Sequence, residues 1–122
     1  MDKIRVNSGT LNIEVNDKGE YITLKLRDQG FVAKLLNLIN SIIELIPSVN
    51  SLNYDEISTQ VRDDINDVFG ENACEKIFGC TLPAFDLYLD FFEQLTPYVE
   101  SYFDKRQKEL EEKYNIGRVG DV

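Results

Sequence analysis

After residue 26 the apolar residues of this chain stop alternating and begin to recur every three or four positions. That change of period separates a part suited to strands from a longer part suited to helices. Ahead of it, Ile4 and Val6 share one face of a short strand. Leu11, Ile13 and Val15 share a face of a second, and Ile22, Leu24 and Leu26 a face of a third, with Thr23 and Lys25 opposite. Asn7-Ser8-Gly9 and Asn16-Asp17-Lys18-Gly19 separate these runs with residues that tolerate left-handed backbone angles. The pattern predicts an antiparallel β-meander over residues 3–26.

The helical part runs over residues 28–114. Asp28 is placed to cap a first helix with its carboxylate. From Phe31 to Ile46 the apolar positions form a wide stripe, so this helix is expected to be central, and Pro47 to stop it. Ser48 to Asn53 is a polar connector. Tyr54, Ile57, Val61, Ile65 and Val68 then form a narrow stripe, backed by Asp55, Glu56, Arg62, Asp63, Asp64 and Asp67. Gly70 suits the C-terminal cap of that helix. A short third helix is predicted over Glu71 to Phe78, closed by Gly79. Pro83 fits the first turn of a fourth helix, whose stripe is Phe85, Tyr88, Leu89, Phe92, Leu95, Val99, Tyr102 and Phe103. Pro97 lies inside that stripe, which predicts a kink or a break capped by Thr96. Beyond Phe103 the sequence is charged, with Glu109 and Lys113 a favourable pair one helical turn apart. Residues 115–122 contain two glycines and are expected to be loose. The fold class expected is α+β, a small antiparallel β-meander followed by a bundle of about four helices in a single domain, 1–122.

Composition narrows the function. The chain has 22 Asp and Glu against 13 Lys and Arg, a formal net charge of −9. A field of that sign repels phosphate backbones and anionic lipid, so neither nucleic acid nor membrane is an expected partner. Nor does the chain open like a signal peptide, since Asp2-Lys3-Ile4-Arg5-Val6 contains no apolar core. The run from Phe31 to Ile46 is interrupted by Lys34, Asn37, Asn40, Ser41 and Glu44, and reads as too polar to span a bilayer. Two cysteines, Cys74 and Cys80, are too few for a secreted framework. A reducing cytosol is the expected location. The sequence contains no histidine, which removes Ser-His-Asp and Cys-His catalysis and the usual imidazole zinc sites.

Carboxylate chemistry survives that exclusion. Asp63, Asp64 and Asp67 could face a divalent ion, and Asp86, Asp90 and Glu93 could form an acid–base pair on the fourth helix. No alternating oxygen loop and no recognisable pocket accompanies either set, so both read as solvated helix faces. Cys74 lies on the apolar side of the third helix near Ile77 and reads as packing. No metal, cofactor or catalytic residue is therefore expected. The aromatic run is different. Phe91 and Tyr98 fall off the stripe of the fourth helix, which leaves that helix apolar on two faces. Tyr88, Phe91, Phe92, Leu95, Tyr98, Tyr102 and Phe103 are accordingly the candidate protein-binding residues.

The stretch Asp67-Val68-Phe69-Gly70-Glu71-Asn72-Ala73-Cys74-Glu75-Lys76-Ile77-Phe78-Gly79, followed by a proline and then Leu89-Asp90-Phe91-Phe92-Glu93-Gln94-Leu95-Thr96-Pro97, resembles a pattern in small tail-module proteins. These are the tail assembly chaperones of phages and prophages of Gram-positive bacteria with long, flexible tails. The charged segment ending at Lys113-Tyr114, with Gly117-Arg118-Val119-Gly120 after it, fits the same family, and Asn72 departs from it where a glycine is expected. Ile4-Arg5-Val6-Asn7 and Val15-Asn16-Asp17 are compatible. The resemblance covers the C-terminal half well and the whole length loosely. It implies a mostly helical, sometimes oligomeric protein that is no enzyme, binds tape measure protein and helps tail tube subunits polymerise around it. A structural virion subunit, such as a connector, and a small enzyme using Asp86, Asp90, Asp63 or Asp67 are the alternatives.

Overall fold

The computed structural model describes residues 1–114 of the chain. Its elements run β1 (Thr10–Glu14), β2 (Tyr21–Lys25), α1 (Gln29–Leu45), a single 3₁₀ turn (Ile46–Ser48), α2 (Tyr54–Phe69), α3 (Ala73–Phe78) and α4 (Phe85–Tyr114). The architecture is α+β, an N-terminal antiparallel hairpin followed by four helices. The expected tail, 115–122, lies outside the described residues. Packing divides the chain into two compact units, 1–89 and a second beginning at Asp90, with the boundary inside α4.

The strands pair in the register Thr10 with Lys25 through Glu14 with Tyr21. Ile22, Leu24 and Leu26 are buried, as their alternation requires. The expected first strand does not form: residues 1–9 carry no strand, and Ile4 and Val6 are exposed. The reason is local. The Gly9 carbonyl accepts from the amide of Leu26, and the Asn7 carbonyl accepts from Arg27 Nη1 at 2.6 Å. Residues 7–9 therefore continue past the end of β2 and do not turn back along β1, so the meander is a two-stranded hairpin.

Asn16 organises the hairpin loop. Its Oδ1 accepts from the amides of Lys18 and Glu20, and its Nδ2 donates to the Lys76 carbonyl of α3 at 3.1 Å. One side chain thus shapes the turn and ties it to a helix sixty residues away. Asp28 caps α1 as expected, accepting from the amides of Gly30 and Phe31. α1 ends ahead of Pro47, packs against β2 and α2, and buries Leu35, Leu38 and Ile42. α2 buries Ile57, Val61 and Ile65 and also contacts β2 and α3.

α3 is shorter than expected. It begins at Ala73, because Asn72 adopts a left-handed conformation with φ 65°. The first turn of α3 is capped from a distance, by Asn66 Oδ1 of α2 accepting from the Cys74 amide at 3.0 Å. Gly79 ends α3 with φ 74°. Pro83 is buried ahead of α4 and lies outside its first turn. α4 runs on through Pro97, so the expected break does not occur. Thr96 does not cap a new helix there; its hydroxyl donates to the Phe92 carbonyl at 2.7 Å within the continuing helix.

Asn72 is the one non-glycine residue with positive φ among the described residues. Asparagine tolerates this region, glycine is at ease in it, and a β-branched residue is strained there. Asn72→Gly is expected to change stability by less than about 0.5 kcal/mol, and Asn72→Val to cost about 1–3 kcal/mol. Urea denaturation of both variants checks this.

Candidate protein-binding surface

The start of α4 is anchored inside the first unit. The Tyr88 hydroxyl donates to the Ser58 carbonyl of α2 at 2.8 Å, and its ring stands edge-on to Phe78 and Phe85. The Tyr54 hydroxyl accepts from the Phe85 amide at 2.7 Å, which satisfies a donor at the helix start. Cys74 lies in the same buried cluster.

Of the candidate binding residues, Tyr88, Phe92 and Leu95 are buried within the chain. They form the continuous stripe of α4 and have no surface to offer, which corrects the expectation for these three. Phe91 and Tyr102 are half-buried and stand edge-on to their neighbours Phe92 and Phe103. Tyr98 and Phe103 are exposed, at 52% and 41%. Phe91 and Tyr98 fall off the stripe, as the helical period requires, whereas Phe103 lies on the stripe and is exposed all the same.

A second exposed apolar surface lies along α1 and the 3₁₀ turn after it, where the sequence reading placed a central helix. Two parallel stripes run along it. Phe31, Leu35, Leu38, Ile42 and Leu45 are buried or half-buried. Val32, Leu36, Ile39, Ile43 and Ile46 recur at the same alternating steps of four and three, one residue further on. In this second stripe Leu36, Ile43 and Ile46 remain 49%, 56% and 47% exposed. No charged side chain interrupts it. Leu52, in the following loop, adds a further exposed apolar residue.

Gln29–Ser48 is a span of 20 residues whose most apolar stretch has a mean hydropathy of 1.4, enough by length and composition alone to cross a membrane, as the core helix of a soluble protein also can be. That corrects the expectation that it is too polar. The span still contains Lys34 and Glu44, each costing about 2.5–3.5 kcal/mol near a bilayer centre. One flank of the helix also packs on α2: the Phe31 and Phe69 rings meet edge-on at 6.1 Å, and Lys34 pairs with Asp67 at 3.5 Å.

The carboxylate sets gather no site. Asp67 is engaged by Lys34, and Asp63 accepts from Arg62 at 3.1 Å. The Asp64 carboxyl is held above its ordinary range by partial burial and then by repulsion from Asp63 and Asp67. Among the described residues no group of three or more Cys, Asp or Glu is arranged to hold a metal ion. Asp86, Asp90 and Glu93 are exposed on α4. A shallow groove of about 650 Å³ between the hairpin loop and α3 is lined by mixed charges, among them Asp17, Lys18, Glu75 and Lys76.

Burial pushes the Cys74 thiol up to about 11, partly opposed by its hydrogen bond with Tyr88, and burial also raises the Tyr88 phenol. Both groups therefore stay protonated in the native state at pH values where the unfolded chain begins to ionise. The Cys74 contribution to stability is complete below about pH 9, the ordinary thiol value, and is lost as pH rises from there through about 11, while that of Tyr88 is complete below about pH 10 and is lost above it. The melting temperature is expected to fall over that window, and to fall less in Cys74→Ala. At neutral pH a thiol alkylating reagent is expected to modify exposed Cys80 and to reach buried Cys74 only on unfolding, checked by mass spectrometry.

No protein-family model, curated protein or solved structure matches the chain.

Proposed function

We propose that this protein is a non-catalytic binding factor whose principal docking face is the uncharged apolar stripe of α1. The observation that carries the reading is the exposure of Leu36, Ile43 and Ile46 along one helix face of a strongly acidic chain. Contiguous exposed apolar surface is costly in a monomer and marks interaction sites. Apolar residues at steps of four and three fit the groove of another protein or the face of an amphipathic helix. The net charge of −9 disfavours nucleic acid and favours a partner with basic flanks.

Joined to the resemblance of residues 67–97 to tail assembly chaperones, the reading becomes specific. The protein binds tape measure protein, tail tube protein or both in the host cytoplasm, holding their apolar segments until assembly. It needs no cofactor for this. The absence of histidine supports a role without catalysis.

Co-expression with the tape measure and tail tube proteins of the same tail module tests this. A complex is expected to co-purify, and Leu36→Asp together with Ile43→Asp to weaken it by at least about tenfold while circular dichroism stays unchanged. Failure of the wild-type protein to bind either partner would remove the chaperone reading. Finding the protein in finished particles by mass spectrometry would make it a virion subunit instead.

A further inference from the structure

The charged end of α4 has an order of its own. Phe103, Gln107, Leu110 and Tyr114 lie on one face at steps of four, three and four, the d, a, d and a positions of a heptad. Phe103 and Tyr114 are exposed. In the same frame the g positions are Arg106 and Lys113, and the e positions are Asp104 and Glu111. One edge of the stripe is thus wholly basic and the other wholly acidic.

An isolated helix gains little from this arrangement. Glu109, Glu111 and Glu112 sit near the C-terminal end of α4, where the helix dipole favours cations. Within the helix, Arg106 pairs with Glu109 at 3.2 Å and Gln107 donates to Glu111 at 3.3 Å, both exposed contacts of small value.

A neighbouring copy makes sense of the two edges. In a parallel pair of helices, g of one chain meets e of the next heptad on the other, so Arg106 faces Glu111 of the second copy, twice over by symmetry. In an antiparallel pair g meets g and e meets e, and both edges repel. Gln107 at an a position meets its own copy in the parallel pair, where a polar residue fixes register. We infer that the segment 103–114 of α4 is a self-association surface, on which a second copy of the chain docks in parallel through Phe103, Gln107, Leu110 and Tyr114 with Arg106 and Glu111 as its charge pairs. Under two heptads of helix bury little, so the pair is weak and concentration-dependent. This surface is separate from the α1 stripe, and the inference does not rest on the proposed function.

Sedimentation of the full-length chain from micromolar to millimolar concentration tests it. A monomer–dimer equilibrium is expected. Arg106→Glu or Glu111→Arg should each weaken it by about tenfold, and the two together should restore it. Contact along the stripe is read separately, in a Cys80→Ser background. Leu110→Cys should give a disulfide-linked dimer on mild oxidation, and Glu112→Cys, off the stripe, should not. A chain that stays monomeric throughout overturns the inference. So do charge variants that fail to rescue one another, or a Leu110→Cys protein that crosslinks no better than Glu112→Cys.

Discussion

The hydroxyl of Tyr88, donating to a backbone carbonyl of α2 with its ring wedged edge-on against Phe78 and Phe85, is the contact on which the first unit turns. It fixes the start of α4 against α2 and brings Cys74 of α3 into the same dry cluster. The side chain is wholly buried, so loss of the hydroxyl's partner would leave a polar group without water. The neighbouring Ser58 hydroxyl is buried with no hydrogen-bond partner among the described residues. The Tyr54 hydroxyl reinforces it one turn away by accepting from the first amide of α4. The Tyr54 hydroxyl thus does for the entry of α4 what a local serine or aspartate cap would do, while the Tyr88 hydroxyl ties that entry to α2.

Much of this fold was legible because the signals were local. The period change at residue 26, the Asp28 cap, the stop ahead of Pro47 and the closing Gly70 and Gly79 each depend on residues within a few positions. The misreadings share the opposite cause. Ile4 and Val6 alternate as a strand should, but whether they pair was decided by Leu26 and Arg27 holding residues 7–9. Pro97 removes an amide from α4, yet the helix continues through it, and the residues on either side, Leu95 and Val99, are buried. The start of α3 could not be read from its own sequence at all, since its cap comes from Asn66.

The binding surface shows the same division. Counting aromatic residues drew attention to α4, where three of the seven candidates turn out to be core. The surplus on α1 was visible as a stripe too wide for one neighbour. Width says that a helix has two apolar faces, however, and not which one is covered. Only the packing of Leu35, Leu38 and Ile42 against α2 and β2 leaves Leu36, Ile43 and Ile46 as the open side. The heptad at the end of α4 was hidden for another reason: its residues read first as a solvated, charged helix, and the sorting of the charges emerges only once a frame is set by Phe103 and Leu110.

The two open surfaces differ in the forces available to them. The α1 stripe has no charge along its length, so association there is driven by apolar burial, which salt does not weaken. Along α4 the stripe is short and its edges supply selectivity through exposed ion pairs, which ordinary ionic strength screens over about 8–10 Å. On the roles proposed for them, a partner on α1 and a second copy on α4 would respond differently to salt, since only the second contact depends on which charges face each other.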